Sequence, residues 1–192
     1  MKPVKTLLAF VVILSITVFA QEAKSQTAYK TMTTSQIKVL GTSNLHDWDM
    51  AANNFTCEGS FQVKGGVLQD VSSLQFTLPV ANLKSKESLM DTRAYKALNA
   101  ATYKTITFKL TDATVVPNQK IVKVNGNLTI SGVTQPVTLQ SSYVVNADES
   151  ITFKGSKAIK MSSHKIKAPS FMMGALKTGD EVTIEFVLKL KK

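Results

Sequence analysis

The sequence predicts an all-β fold of about eight antiparallel strands with one short helix between the middle strands. Three observations carry that prediction. Apolar and polar residues alternate at period two in several segments, turn residues separate those segments, and a single stretch has helical spacing instead. The clearest alternation is "VNGNLTISGVTQPVTL", Val124 to Leu139. Val124, Gly126, Leu128 and Ile130 share one parity, and Asn125, Asn127, Thr129 and Ser131 share the other. After "SGVTQP", Val137 and Leu139 resume the apolar side. Strand side chains change face at every residue, so this pattern makes one apolar face and one wet face. No residue in the stretch suits catalysis, and its regularity reads as architecture.

The elements follow in order. Lys2 and Lys5 precede the apolar run "LLAFVVILSITVFA", which exits through the small residues Val18 and Ala20. That is the pattern of a cleaved secretory signal over residues 1–20, with "AKSQ" moving the alternative exit as far as 26. The run is shorter than the ~20 residues of a spanning helix, so an uncleaved anchor is the lesser reading. The lone cysteine, Cys57, lies far from this segment, which excludes a lipid-modified cysteine at the mature start. The expected product is a soluble, exported domain over residues 27–192, periplasmic or secreted. It has no internal disulfide, so packing must hold it together.

"YKTMTTSQIKVLG" and "FTCEGSFQV" supply the first strands. Cys57 shares parity with Phe55, Phe61 and Val63 and reads as a small buried hydrophobe rather than a reactive thiol. "SSLQFTLPVANL" places Leu74, Phe76, Leu78 and Val80 on one side, and Pro79 marks an edge, a bulge or the strand's end. In "SKESLMDTRAYKALNA", Leu89, Met90, Ala94, Ala97 and Leu98 recur at helical spacing, with Ser85 as a weak cap. "TITFKLTDATVV" alternates at Ile106, Phe108 and Leu110; "PVTLQSSYVV" extends its parity to Tyr143 and Val145. "SITFKG" offers Ile151 and Phe153, and "EVTIEFVLKL" offers Val182, Ile184, Phe186, Leu188 and Leu190. Gly155 to Asp180 is the least regular part, expected to finish one strand and then make a long loop.

The formal charge is +10, or +8 without Lys2 and Lys5. Twenty-two lysines stand against one arginine, Arg93. Nucleic-acid reading favours the bidentate guanidinium, so this balance argues against it. Lys109, Lys123, Lys154 and Lys189 sit on polar parities and read as solvated faces. Transient contact with an anionic membrane surface suits such point charges better. "HDWD" groups His46, Asp47 and Asp49, but no His or Cys spacing scaffolds a metal, and a turn-capping Asp with a packed Trp48 is the simpler reading. No catalytic residue, metal or cofactor is expected.

"RAYKALNAATYKTITFKL" followed by "VNGNLTISGVTQPVTL" resembles the YceI-like family of secreted bacterial polyisoprenoid-binding proteins. That family joins a short helix to a "YPTITF"-like strand and then "GxLTIxGVTxPVxL". The likeness spans Leu68 to Leu139, with weaker agreement at the C-terminal strand. The family's "R-x-x-F-G" region is matched only loosely, by "SSHKIKAPSFMMG". The resemblance implies an eight-stranded antiparallel lipocalin-like barrel whose lumen holds a polyisoprenoid or similar fatty amphiphile, without catalysis. On that reading the lumen is lined by Leu74, Phe76, Leu78, Ile106, Phe108, Leu110, Leu128, Ile130, Leu139, Tyr143, Phe153, Ile184 and Phe186. His164, Lys165, Phe171 and Met172 are the candidates for a mouth or headgroup site. The competing expectation is a solid-cored barrel serving as a stress-response or interaction module. At eight strands either outcome is physically allowed.

Overall fold

A computed structural model describes residues 26–192, apart from the side chain of Phe171. The predicted signal segment, residues 1–20, lies outside that range. Eleven strands and one α-helix are present among the described residues. The strands are β1 (Thr27–Thr31), β2 (Gln36–Ser43), β3 (Trp48–Ala52), β4 (Thr56–Lys64), β5 (Val67–Pro79) and β6 (Thr105–Val116). They continue with β7 (Ile121–Ile130), β8 (Val133–Val145), β9 (Ile151–Lys160), the two-residue β10 (Ser170–Phe171) and β11 (Leu176–Lys191). Helix α1 (Ser88–Ala97) connects β5 to β6.

Eight strands close into an antiparallel ring in the order β1-β4-β5-β6-β7-β8-β9-β11, with β11 returning to β1 at Lys30↔Lys191 and Thr31↔Leu190. The remaining long strands, β2 and β3, form a ribbon on β11 that extends the wall on the α1 side. Ser35 and Met32, whose N donates to Lys189 O (2.8 Å), hold the chain on β11 between the two strands. The Ser35 hydroxyl accepts from Lys189 N (2.9 Å) and donates to Lys189 O (3.1 Å), replacing a missing backbone rung between β1 and β2. The N-terminal segment thereby stays on β11 while β1 turns to β4 and β2 turns to β3. The single strand predicted over "YKTMTTSQIKVLG" is therefore two, and β3 was not foreseen. Strand β11 starts at Leu176, earlier than the alternation of "EVTIEFVLKL" indicated, and shortens the expected loop.

The hairpin behind the opening motif turns at Ser131 (φ 50°) and Gly132 (φ 74°). Two positive φ values suit the right-handed twist of the flanking strands. A Cβ on Gly132 would lie 2.3 Å from the Tyr103 ring, so glycine also lets that ring pack on the turn. Helix α1 is tied down by its neighbours. Ser85 N and Oγ donate to Asp91 Oδ1 (2.7 and 2.8 Å), Lys84 Nζ lies 3.5 Å from Asp91, and Tyr95 Oη donates toward Leu83 O (2.8 Å). Ser85 thus receives the helix's carboxylate and does not cap its first turn. At the other end Asn99 adopts φ 49°, and Ala100 N reaches Tyr95 O (2.9 Å), the left-handed stop that asparagine tolerates. Leu89, expected on the apolar face, is exposed instead, because that face is presented by Met90, Ala94, Ala97 and Leu98.

Candidate ligand-binding lumen

Alternation places two different kinds of interior inside one ring. At the base, Tyr29, Leu68 and Ile151 are sealed from solvent, with the buried Phe61 and Leu190 forming the floor of the space above, and the rings pack edge to face (Tyr29–Phe61 centroids 5.4 Å) or tilted (Phe61–Phe153, 5.7 Å). Cys57 is fully buried here, and burial, with Glu58 adding to it, pushes its thiol up to about 12. It is an inert packing group, as its parity predicted.

Above the base the same inward parity encloses a cavity of about 340 Å³. Such a volume lies at the lower end of small-molecule sites. Phe76, Ile106, Leu139, Ile184 and Phe186 line it and are only half-buried, although each points inward. Leu74, Leu78, Phe108, Leu128, Ile130 and Phe153 complete the predicted wall. Met90, Ala94, Ala97 and Leu98 roof it from α1, and Trp48 and Met50 close it from β3. Two glycines of the wall make room for its rings. A Cβ on Gly126 would lie 2.3 Å from the Phe108 ring and one on Gly155 would lie 2.6 Å from Phe186. Both rings therefore pack against a glycine of the neighbouring strand, as Phe61 does against Gly59. A larger depression of about 520 Å³ lies on the outer wall, but polar residues such as Lys30, Glu58, Ser60, Gln75 and Lys109 line it, so it offers no shelter for an apolar chain.

Two predicted lining residues fall elsewhere. Tyr143 belongs to the base, where its hydroxyl donates to Leu68 O (3.3 Å). Leu110 borders the outer depression, because β5 and β6 pair only from Gln75↔Lys109 to Pro79↔Thr105 and a register shift follows Leu110.

The mouth candidates divide as well. His164 is buried and lines the cavity; its Nδ1 donates to Val133 O (3.0 Å), pinning the turn after β9 to the β7–β8 hairpin. Lys165 is exposed in a left-handed conformation (φ 59°) and Met172 projects outward, 78% exposed, so neither lines the lumen. The side chain of Phe171 lies outside the described residues. His46 borders the cavity from the β2–β3 turn. The cap of that turn is Ser43, whose Oγ accepts from Leu45 N and His46 N, and not the expected aspartate. Trp48 packs over Gly41 and donates to Thr42 O (3.1 Å). Among the described residues no group of three or more His, Cys, Asp or Glu side chains could hold a metal.

Sequence reasoning overlooked Lys157. It shares the inward parity of Ile151, Phe153 and Ile159 and is the lysine of the lining, while Lys109, Lys123 and Lys154 are exposed as predicted. Its parity alone could have revealed it.

The fold has solved relatives. BcnA of Burkholderia cenocepacia superimposes with a TM-score of 0.70 at 21% identity, over 83% of this chain and 98% of that one. A polyisoprenoid binding domain from Saccharophagus degradans gives 0.64 at 14% identity, over 87% and 99%. The Campylobacter jejuni YceI protein gives 0.57 at 19%, over 72% and 84%. No curated protein matches the chain. The YceI-like domain family matches residues 20–190, nearly the whole of what has just been described, and the chain belongs to that family.

Proposed function

We propose that this chain is an exported lipid-binding protein that holds a polyisoprenoid or similar long-chain amphiphile in its lumen, as a carrier or reservoir. One observation carries the reading: inward-facing Phe76, Leu139, Ile184 and Phe186 remain half-exposed to an internal apolar cavity. The Saccharophagus relative described as polyisoprenoid-binding supports the same class of ligand. Burying ten chain carbons at ~0.8 kcal/mol each contributes about 8 kcal/mol, near micromolar affinity before ordering costs. No reactive group is needed. Exposed Leu45, Met172 and Met173, with Lys165 and Lys177 near them in sequence, support transient contact with an anionic membrane at the mouth. Asn44 Nδ2 donates to Ala175 O (2.7 Å), which brings the Leu45 turn against the Met172–Met173 segment.

Native mass spectrometry of protein purified without detergent is expected to show a co-purifying lipid that Ile184→Trp excludes by filling the cavity. Failure of the wild-type chain to retain or bind any prenyl or acyl chain would leave the solid-module alternative standing.

A further inference from the structure

We propose that the lumen selects an amphiphile with an anionic head, a carboxylate or a phosphate, and that Lys157 and Ser141 form its anchor. This inference rests on the carrier reading above. Strands β8 and β9 pair only from Ser141↔Gly155 to Val145↔Ile151. Beyond that point β9 keeps β11 as its partner, while Val133 to Gln140 of β8 have none on that side. Pro136, which has no N–H to donate, lies in this unpaired part. A slit in the wall results, bridged at its far end where Gln135 Nε2 donates to Ser163 O (2.9 Å).

Lys157 lies on β9 just past the last rung, on the inward parity and lining the cavity. Ser141, buried at the slit's base, lines the same cavity. Its rung partner is Gly155, so it stands diagonal to Lys157, a relation that separates residues by ~7–8 Å across antiparallel strands. The two can therefore share one bound head. Leu139 and Ile184 surround them with apolar wall.

An ammonium beside hydrocarbon is costly without a partner. Among the described residues Lys157 makes no ion pair, whereas Lys30, Lys84, Lys191 and Lys192 each do. The lining's acid is Glu87, carried by the α1 side, and Arg93 stands there too, so the lining as a whole favours an anion. A compact ammonium with three donors matches an oxyanion, and the serine hydroxyl adds a fourth donor at the other edge of the slit. The tail then runs from the slit under α1, where Met90, Ala94 and Leu98 cover it.

The test is displacement of the fluorescent probe N-phenyl-1-naphthylamine from the full chain at neutral pH. The competitors are two matched pairs, hexadecanoic acid with hexadecanol and farnesyl phosphate with farnesol. At least one anion should bind about tenfold more tightly than its alcohol, the scale of a charge-assisted hydrogen bond. The pair that shows the difference tells carboxylate from phosphate. Lys157→Met should remove the preference, so that each anion binds no more tightly than its alcohol, and Lys157→Arg should retain it. If alcohols bind but anions bind no better, or if Lys157→Met keeps the preference, this inference falls and the carrier reading survives. If none of the four displaces the probe and none binds directly, both fall.

Discussion

The base of the ring and the lumen above it are built from the same alternating strands, yet one is solid and the other hollow. At the base, Phe61 and Tyr29 meet ring to ring, and Leu68, Ile151 and Leu190 fill what remains. Higher up, Phe108 and Phe186 lie against glycines on neighbouring strands, and β8 parts from β9. Both regions satisfy the hydrophobic pattern. Rings pack over glycines in both, Phe61 over Gly59 included; what differs is that rings from several strands meet at the base, whereas β8 parts from β9 higher up. Apolar parity therefore specifies which face is inside, and where strand pairing stops helps decide whether that inside is full.

The largest test of this contrast pairs two truncations of one residue type. Ile151→Ala at the base, a fully buried residue away from the cavity, should cost about 4 kcal/mol in chemical denaturation, because a sealed site cannot collapse around the missing atoms. Ile184→Ala should cost only about 2 kcal/mol, because the side chain already borders a void and mainly its transfer contribution is lost. Equal losses would erase the distinction between plug and lumen.

A smaller effect sharpens the role of the glycines. Gly155→Ala would place its Cβ 2.6 Å from both Phe186 and the backbone Gln140 O. The ring can swing into the lumen, but the carbonyl cannot easily move, so the substitution should destabilise by about 1–3 kcal/mol. It should also reduce uptake of the longest chains in the displacement assay. A neutral outcome in both measurements would mean that Gly155 is not needed to make room for the ring.

The smallest effect concerns the roof. Burial raises the Asp91 carboxyl, but the two Ser85 hydrogen bonds and Lys84 outweigh it and hold the group below the usual carboxylate range. A depressed value means that the ionised form favours the folded state. Its contribution is present above the unfolded value of about 3.9 and is lost as pH falls through the depressed folded value. Asp91→Asn should therefore destabilise by about 1 kcal/mol at neutral pH, and the gap should close in acid. Hydrogen exchange of α1 amides in the variant reports whether the loss is confined to the roof, as expected, or spreads to the base.

Much of this was legible beforehand because strand periodicity is a local property. The inward set from Leu74 to Phe186 was readable from parity, and so was the helix, from the spacing of Met90, Ala94 and Leu98. The departures have tertiary causes. Tyr143 and Leu110 carry the lining parity, but the level of each residue along the ring is set by register shifts and by where pairing stops. The split between β1 and β2 is marked by Ser35 reaching Lys189, 154 positions away. Local pattern holds no trace of that contact.

By itself the sequence determined the class of fold, the family likeness, the burial of Cys57 and the identity of the inward faces. These follow from side-chain chemistry and a two-residue repeat. Only the tertiary structure decided that the upper interior is hollow, that α1 roofs it, and that Lys157 stands beside a gap in its wall. Those outcomes depend on how strands of unequal length share partners around a ring, which no single segment encodes.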